Sequence, residues 1–260
     1  MRTGILFDFY DTLAFLAPSI IEEGRRELAR LAGVTPEEFA PLWRANSRER
    51  MLGTAGDLAT QLRAMLGTLG HEREQQILEA LVAHEYGAWE RAVQLYPDTR
   101  PALAKLRRRG FKLGILSNCS CQAGAVIHRL GLSELVDSVT LSFEVGSAKP
   151  DEPIYRAACA AIGLDPTACV FVADGAGGEL EAARALDMLT IKIHRPDRRQ
   201  PEDFTVRADQ RVESLVEMLD FAELRSAPQV PPASSPGLGG PGGPDGDGGD
   251  RGCSRPRPAG

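Results

Sequence analysis

The pattern of hydrophobic and polar positions changes along this chain. A short apolar run over Gly4 to Phe9 ends in polar residues, which predicts a buried strand. From about Pro18 to Arg91 the apolar residues recur at helical spacing, and Thr35 followed by Glu38 predicts a helix N-terminus with a capping box. We therefore expect a helical insertion over residues 17–92, shortly after the first strand.

Beyond Tyr96-Pro97 the pattern changes to alternating strands and helices. Residues 99–110 predict a basic helix, and the last apolar segment, "VESLVEMLDFAEL", predicts a final helix over residues 212–224. Between these two lie strand-like segments, each followed by a helical one: "FKLGILSN", "VDSVTLS", "ACVFVAD" and "LTIKIHR". This alternation predicts an α/β fold in which a parallel sheet is covered by helices on both faces.

Composition and charge narrow the class of protein. The 260 residues are 43% hydrophobic and 25% charged, as in ordinary globular proteins. A net charge of −6 and a pI near 5.4 leave no broad basic surface, so we do not expect nucleic acid as a partner. The sequence has no secretory leader pattern and no apolar run of about 20 residues, so we expect a cytoplasmic protein without a membrane partner. We interpret the five cysteines as reduced thiols.

The composition shifts again near Ser226. Residues 226–260 consist largely of proline and glycine and contain almost no large apolar side chain. Such a segment cannot bury enough surface to offset the entropy of ordering, so we predict a disordered tail.

Polar residues follow several of the predicted strands. Because ligands bind at the carboxyl ends of the strands in parallel sheets, we expect these residues to gather at one edge of the sheet. The candidates are Asp8, Tyr10, Ser117, Asn118 and Asp174, together with Lys149 from the loop before the third helix after the insertion.

These residue types suit a covalent displacement. A carboxylate at a strand end can attack phosphorus or carbon and form an ester, and Asp8 is the candidate nucleophile. The hydroxyls of Thr12 and Ser117 can hold the oxygens of the transferred group, while Lys149 can neutralise its charge. Asp8 and Asp174 together can hold a hard cation such as Mg²⁺.

Four segments of the chain resemble, in order, the four motifs of the haloacid dehalogenase (HAD) superfamily. They are "DFYDTL", "ILSN", "SAKPDEPIY" and "VFVADGAGGELEAAR", and the resemblance extends from Arg2 to about Leu224. It implies a Rossmann-like core made of residues 1–16 and 93–225, with residues 17–92 as a helical cap.

The resemblance also implies roles for individual residues. Asp8 would be the nucleophile, with Tyr10 and Lys149 as further catalytic residues. Thr12, Ser117 and Asn118 would bind substrate. Mg²⁺ would be held by Asp8, the backbone carbonyl of Tyr10 and Asp174, with Glu179 as a weaker ligand.

One departure from the family pattern concerns Tyr10. The superfamily's phosphatases carry a second aspartate there as general acid and base, whereas its 2-haloacid dehalogenases carry tyrosine. Those dehalogenases also resemble this chain at Leu42-Trp43-Arg44, where Arg44 would meet the substrate carboxylate or the halide. They work without metal and lack the acidic residue that Asp174 supplies here. Asp11 is a candidate substitute for the missing acid.

Three functions remain open at this point. We favour a Mg²⁺-dependent, phosphatase-type hydrolase of a small molecule, because Asp174 is present. A phenol is protonated at neutral pH and is a poor base, so such an enzyme should be slow on alkyl phosphates. The alternatives are a metal-independent 2-haloacid dehalogenase and a catalytically weak binding protein. The cap would choose the substrate, and the protein would be a monomer or a homodimer.

Overall fold

The computed structural model describes residues 2–71, 75–195 and 206–225, so the predicted tail lies outside the described residues. Within these ranges there are eight strands and eleven α-helices. The strands are β1 (Gly4–Phe7), β2 (Ala14–Leu16), β3 (Val93–Leu95), β4 (Lys112–Ser117), β5 (Ser138–Leu141), β6 (Cys169–Ala173), β7 (Leu189–Ile193) and β8 (Gln210–Val212).

The helices fall into two groups along the chain. The first group lies between β2 and β3 and consists of α1 (Pro18–Ala32), α2 (Pro36–Ala45), α3 (Ser47–Met51), α4 (Leu58–Thr68) and α5 (Gln75–Ala92). The second group alternates with the later strands and consists of α6 (Thr99–Arg108), α7 (Gln122–Arg129), α8 (Ser142–Val145), α9 (Glu152–Ala161), α10 (Glu179–Ala185) and α11 (Leu215–Met218). No helix of the described ranges is long and apolar enough to cross a membrane.

Six of the strands form one parallel sheet in the order β5-β4-β1-β6-β7-β8. The chain builds outward from β1 in one direction through β4 and β5, and then in the other through β6, β7 and β8. This reversal is the arrangement of Rossmann-like sheets, and it leaves a crevice beside the carboxyl end of β1. The predicted α/β fold with a parallel sheet is confirmed.

Both faces of the sheet are covered. On β1, Ile5 and Phe7 pack into one hydrophobic cluster with residues of α6, α7 and α11. Leu6, which points to the opposite face as expected for a strand, packs into a second cluster with residues of α9 and α10. Because β1 is buried on both faces, its sequence is an uninterrupted apolar run.

The helical insertion has a hydrophobic cluster of its own. Leu28, Phe39, Trp43, Leu62 and Leu81, contributed by four of its helices, are buried together. The capping box predicted at the start of α2 is present, because the Thr35 hydroxyl accepts from the Glu38 amide at 3.2 Å and the Glu38 carboxylate accepts from the Thr35 amide at 2.8 Å. The insertion leaves and rejoins the core through the antiparallel pair β2–β3.

The prediction of one final helix over residues 212–224 is wrong. Val212 belongs to β8 and pairs with Ile193, α11 has four residues, and Ala222–Leu224 form a 3₁₀ turn. The buried residues Val212, Leu215 and Met218 have helical spacing. A strand end followed by a short helix buries the same three positions, so the pattern did not distinguish the two structures.

Candidate active site

Three neighbouring strands bring polar side chains to one edge of the sheet. β1 is followed by Asp8, whose amide donates to Val172 O of β6 at 2.9 Å. β4 ends at Ser117, and Asp174 follows the last residue of β6. Because β4, β1 and β6 are adjacent and parallel, these three residues meet at the crevice beside β1.

Lys149 reaches the same edge from the loop before α9. Its ammonium lies 2.5 Å from Asp8 Oδ1 and 2.6 Å from Glu179 Oε2, and the residue is 8% exposed. Asn118 clamps the backbone of Lys149, since Asn118 Nδ2 donates to the Lys149 carbonyl at 2.8 Å and Asn118 Oδ1 accepts from the Lys149 amide at 2.7 Å. Asn118 thus positions the lysine, and its role in binding substrate stays a prediction.

The charges at this edge are unequal in number. Carboxylate oxygens of Asp8, Asp174 and Glu179 all lie within 4.8 Å of one another. Burial raises the pKa of Asp8, against the opposing effect of Lys149, and burial raises the pKa of Glu179 to about 8. Burial lowers the pKa of Lys149, but its ion pairs with Asp8 and Glu179 outweigh that effect, so its net pKa is raised and it remains an ammonium.

The donor set fits a divalent cation. Three clustered carboxylates exceed what one ammonium can neutralise, and carboxylate oxygens are the ligands that Mg²⁺ prefers. Two of them are oriented by backbone amides: Asp174 Oδ1 accepts from Ala176 N at 3.1 Å, and Glu179 Oε1 accepts from Gly175 N at 3.1 Å. The arrangement could therefore hold the predicted metal without rebuilding the loops.

Two hydroxyls beside the carboxylates lack partners. Thr12 Oγ1 and Ser117 Oγ are buried and have no hydrogen-bond partner among the residues that the structure describes. Buried hydroxyls ordinarily have a protein, water or ligand partner, so these two are free to bind a ligand or a water molecule. The structure thus places both predicted substrate-binding hydroxyls at the same edge as Asp8.

Tyr10 joins this edge to the helical insertion. Its ring contacts Trp89 of α5, with ring centroids 6.1 Å apart, and burial raises the pKa of the phenol. Trp89 Nε1 donates to the buried Glu85 at 2.8 Å, and Glu85 in turn accepts from Gln122 of α7. A helical pattern does not indicate which side of α5 faces the sheet, so the sequence gives no sign of this contact of Trp89.

Arg44 occupies a different environment from the other predicted site residues. It lies exposed on α2, and its proposed contact with a substrate carboxylate or halide stays a prediction. Arg50, six residues later, is 7% exposed and stacks its guanidinium 4.3 Å from the centre of the Trp43 ring. Its Nη1 donates to the Trp43 carbonyl at 2.6 Å, so the buried arginine of this region is Arg50.

Comparisons with known proteins define the class. Residues 3–187 match the family of haloacid dehalogenase-like hydrolases. The chain therefore belongs to this family and is a hydrolase of the HAD superfamily. The resemblance stated from the four motifs is confirmed.

Individual relatives carry different names. The chain is 33% identical to phosphatase MT3486 of Mycobacterium tuberculosis, over 85% of this chain and 95% of that protein. It is 27% identical to glyceraldehyde 3-phosphate phosphatase of Methanopyrus kandleri, over 75% and 85% of the two chains. The crystal structure of 2-haloacid dehalogenase from Pseudomonas syringae pv. Tomato matches with a TM-score of 0.64 at 23% identity, covering 84% and 96%, which shows a shared fold.

Proposed function

We propose that this protein is a Mg²⁺-dependent phosphatase of small phosphorylated molecules that works through an aspartyl-phosphate on Asp8. The observation that carries the proposal is the cluster of buried Asp8, half-buried Asp174 and buried Glu179, in which Lys149 pairs with Asp8 and Glu179. A metal-independent displacement has no use for the additional carboxylate at Asp174. The names of the two phosphatase relatives, at 33% and 27% identity, support the same choice.

The first step is attack of Asp8 on phosphorus. The Asp8 carboxylate forms an oxygen–phosphorus bond, and the bond from phosphorus to the leaving-group oxygen breaks. Thr12 and Ser117, whose hydroxyls lack protein partners, donate hydrogen bonds to the phosphoryl oxygens. Lys149, held by Asn118, neutralises charge between the nucleophile and the phosphoryl group.

The metal would be held by Asp8, Asp174 and the Tyr10 carbonyl, with Glu179 beside them. A bound Mg²⁺ supplies positive charge at the phosphoryl oxygens. Asp174 is already oriented for this by the Ala176 amide, and Glu179 by the Gly175 amide.

The second step, hydrolysis of the aspartyl-phosphate, is where Tyr10 limits the enzyme. Its phenol is half-buried and its pKa is raised, so at neutral pH it can donate a hydrogen bond but cannot take a proton from water. The enzyme should accept phosphates with good leaving groups, such as aryl and acyl phosphates, and release phosphate slowly. Asp11 has a φ of 55°, which places it in a left-handed turn, and its service as a substitute acid stays a prediction.

A second candidate function follows from the same residue. A halide leaving group needs no proton, so a tyrosine at this position also suits a 2-haloacid dehalogenase. The purified protein is offered p-nitrophenyl phosphate, acetyl phosphate and a 2-haloacid, each with Mg²⁺ and with chelator. Phosphate release that depends on Mg²⁺ supports the proposal, whereas halide release that persists in chelator refutes it. Absence of any turnover, with Asp8→Asn still binding ligand, favours a binding protein.

A further inference from the structure

The turn that carries Tyr10 and Thr12 is held from outside as well as by its own hydrogen bonds. Inside it, the amides of Leu13 and Ala14 both donate to the Phe9 carbonyl at 2.9 Å. From outside, Arg195 Nη2 donates to the Thr12 carbonyl at 2.6 Å, across a chain separation of 183 residues. Arg195 lies two residues beyond the end of β7, on the same edge of the sheet.

Two further contacts hold Arg195, one with Asp98 and one with the Tyr96 ring. Its Nη1 donates to Asp98 Oδ2 at 2.8 Å, and Asp98 Oδ2 also accepts from the Leu215 amide at 2.7 Å. The guanidinium stacks 3.9 Å from the centre of the Tyr96 ring, and Arg195 is 5% exposed. A planar guanidinium held in this way points Nη2 in one direction, towards the Thr12 carbonyl, while its buried Nε has no partner among the described residues.

We infer that Arg195 is a positioning residue for the phosphate-binding turn, acting through the Thr12 carbonyl to aim the Thr12 hydroxyl into the crevice. The inference rests on the proposed function, because it takes Thr12 Oγ1 as a ligand of the phosphoryl group. Arg195 touches no reacting atom, and it connects the last strands of the sheet to the turn after the first. Displacement of reacting groups by about 1 Å lowers rates about a hundredfold, so a modest shift of Thr12 is enough.

A general role in stability does not account for this arrangement. A buried arginine–aspartate pair contributes little net stability compared with apolar residues of similar size, although loss of the arginine alone leaves Asp98 without its buried partner. The pair does fix where the guanidinium lies. The hydroxyl that depends on that position is one of the two that lack protein partners at the site.

Arg109 provides a matched control. Arg109 is half-buried, and its Nη1 donates to the main-chain carbonyls of Leu219 and Leu224 at 2.7 and 2.8 Å, as Nη2 of Arg195 donates to the Thr12 carbonyl. It lies at the end of α6, and neither of its acceptors belongs to the turn. R109M therefore removes two hydrogen bonds from an arginine to the main chain without touching Thr12.

The first test is a double-mutant cycle in the full-length protein with p-nitrophenyl phosphate and Mg²⁺. We expect R195M to lower kcat about tenfold to a hundredfold with KM nearly unchanged, and R109M to leave both nearly unchanged. In a T12V background, R195M should lower kcat by less than about threefold further, because the group it aims is gone. An R195M effect of equal size in both backgrounds overturns the inference.

The second test does not depend on activity. R195M also leaves Asp98 without its buried partner, so hydrogen exchange of the backbone amides of residues 8–14 is compared with that of β5 at the far edge of the sheet. Exchange of residues 8–14 should accelerate at least about tenfold more than that of β5 in R195M and not in R109M, and equal acceleration of both segments overturns the inference. Unchanged exchange in R195M overturns the inference, whether or not the wild type hydrolyses phosphate. A wild type without turnover would refute the proposed function alone, and exchange would then decide this inference. Should R195M fail to fold, R195K takes its place, since it keeps the charge beside Asp98 but lacks the forked donors.

Discussion

Replacing Lys149 with methionine tests the electrostatics of the site most severely. Its ammonium is the counter-charge of Asp8 and Glu179, at 2.5 and 2.6 Å, and all three groups are buried. Lys149→Met keeps much of the side-chain volume but leaves two carboxylates facing Asp174 without that cation. The folded state must then carry uncompensated buried charge or bind protons.

The size of the effect follows from that burial. Removing one partner of a buried ion pair lowers the free energy of unfolding by about 3–5 kcal/mol. In a domain of this size about 1 kcal/mol shifts Tm by about 2–4 °C, so Tm should fall by about 6–20 °C in chelator at pH 8. As a control, Lys112→Met removes the half-exposed pair between Lys112 and Asp137 and should change the free energy of unfolding by less than about 1 kcal/mol.

The effect has a defined pH dependence. Carboxylates whose folded pKa is raised bind more protons in the folded state, so they lower stability as pH rises from the unfolded pKa through the folded one. For Glu179 this window runs from about 4.5 to about 8 in the wild type, and loss of Lys149 raises the upper limit. Urea unfolding should therefore show a deficit that is largest at pH 8 and shrinks towards pH 5. An equal deficit at both pH values, or none at pH 8, would refute this account of the site.

The other predictions concern activity and metal binding. Thr12→Val removes an unpartnered hydroxyl, so the free energy of unfolding in urea should change by less than about 1 kcal/mol. The kcat on p-nitrophenyl phosphate should fall about a hundredfold. A large loss of stability would mean that the hydroxyl has a protein partner. Tyr10→Asp should raise phosphate release from an alkyl phosphate at least about a hundredfold, and an unchanged rate would mean that Tyr10 is not a missing acid. Asp174→Asn should weaken the Mg²⁺ affinity measured by calorimetry by more than about tenfold, because losing even a residue that only hydrogen-bonds to a metal ligand usually costs that much. Unchanged affinity would exclude Asp174 as a ligand.

The sequence predicted the site residues that directly follow a recognisable strand or stand in a recognisable motif. Asp8 could be found because an apolar run on β1, buried on both faces, ends directly before it. Lys149 and Asp174 could be found because they stand in recognisable motifs at the ends of later segments. The capping box of α2 is a contact between residues three apart, so it too is visible in the chain.

The sequence did not predict the contacts between elements that are distant along the chain. Arg195 is the last residue of the strand-like segment "LTIKIHR", where a polar residue is ordinary in the sequence. In the fold its guanidinium donates to the Thr12 carbonyl, which follows a different strand of the sheet. Arg50 is buried against Trp43 although its helix has only five residues, and periodicity has little meaning over that length. Val212 was assigned to a helix because burial alone does not distinguish a strand end from a helical turn.

The central claim is that Asp8 forms an aspartyl-phosphate whose hydrolysis Tyr10 leaves slow. The protein is mixed with acetyl phosphate and Mg²⁺, quenched in acid after different times, digested with pepsin in the same acid and analysed by mass spectrometry. We predict one phosphoryl group on the peptide that contains Asp8, and fragmentation should localise it to Asp8. It should accumulate within a turnover, be absent in chelator and decay faster in Tyr10→Asp. Turnover of acetyl phosphate with no phosphoryl group on Asp8 at any time, in the wild type and in Tyr10→Asp alike, would contradict the claim.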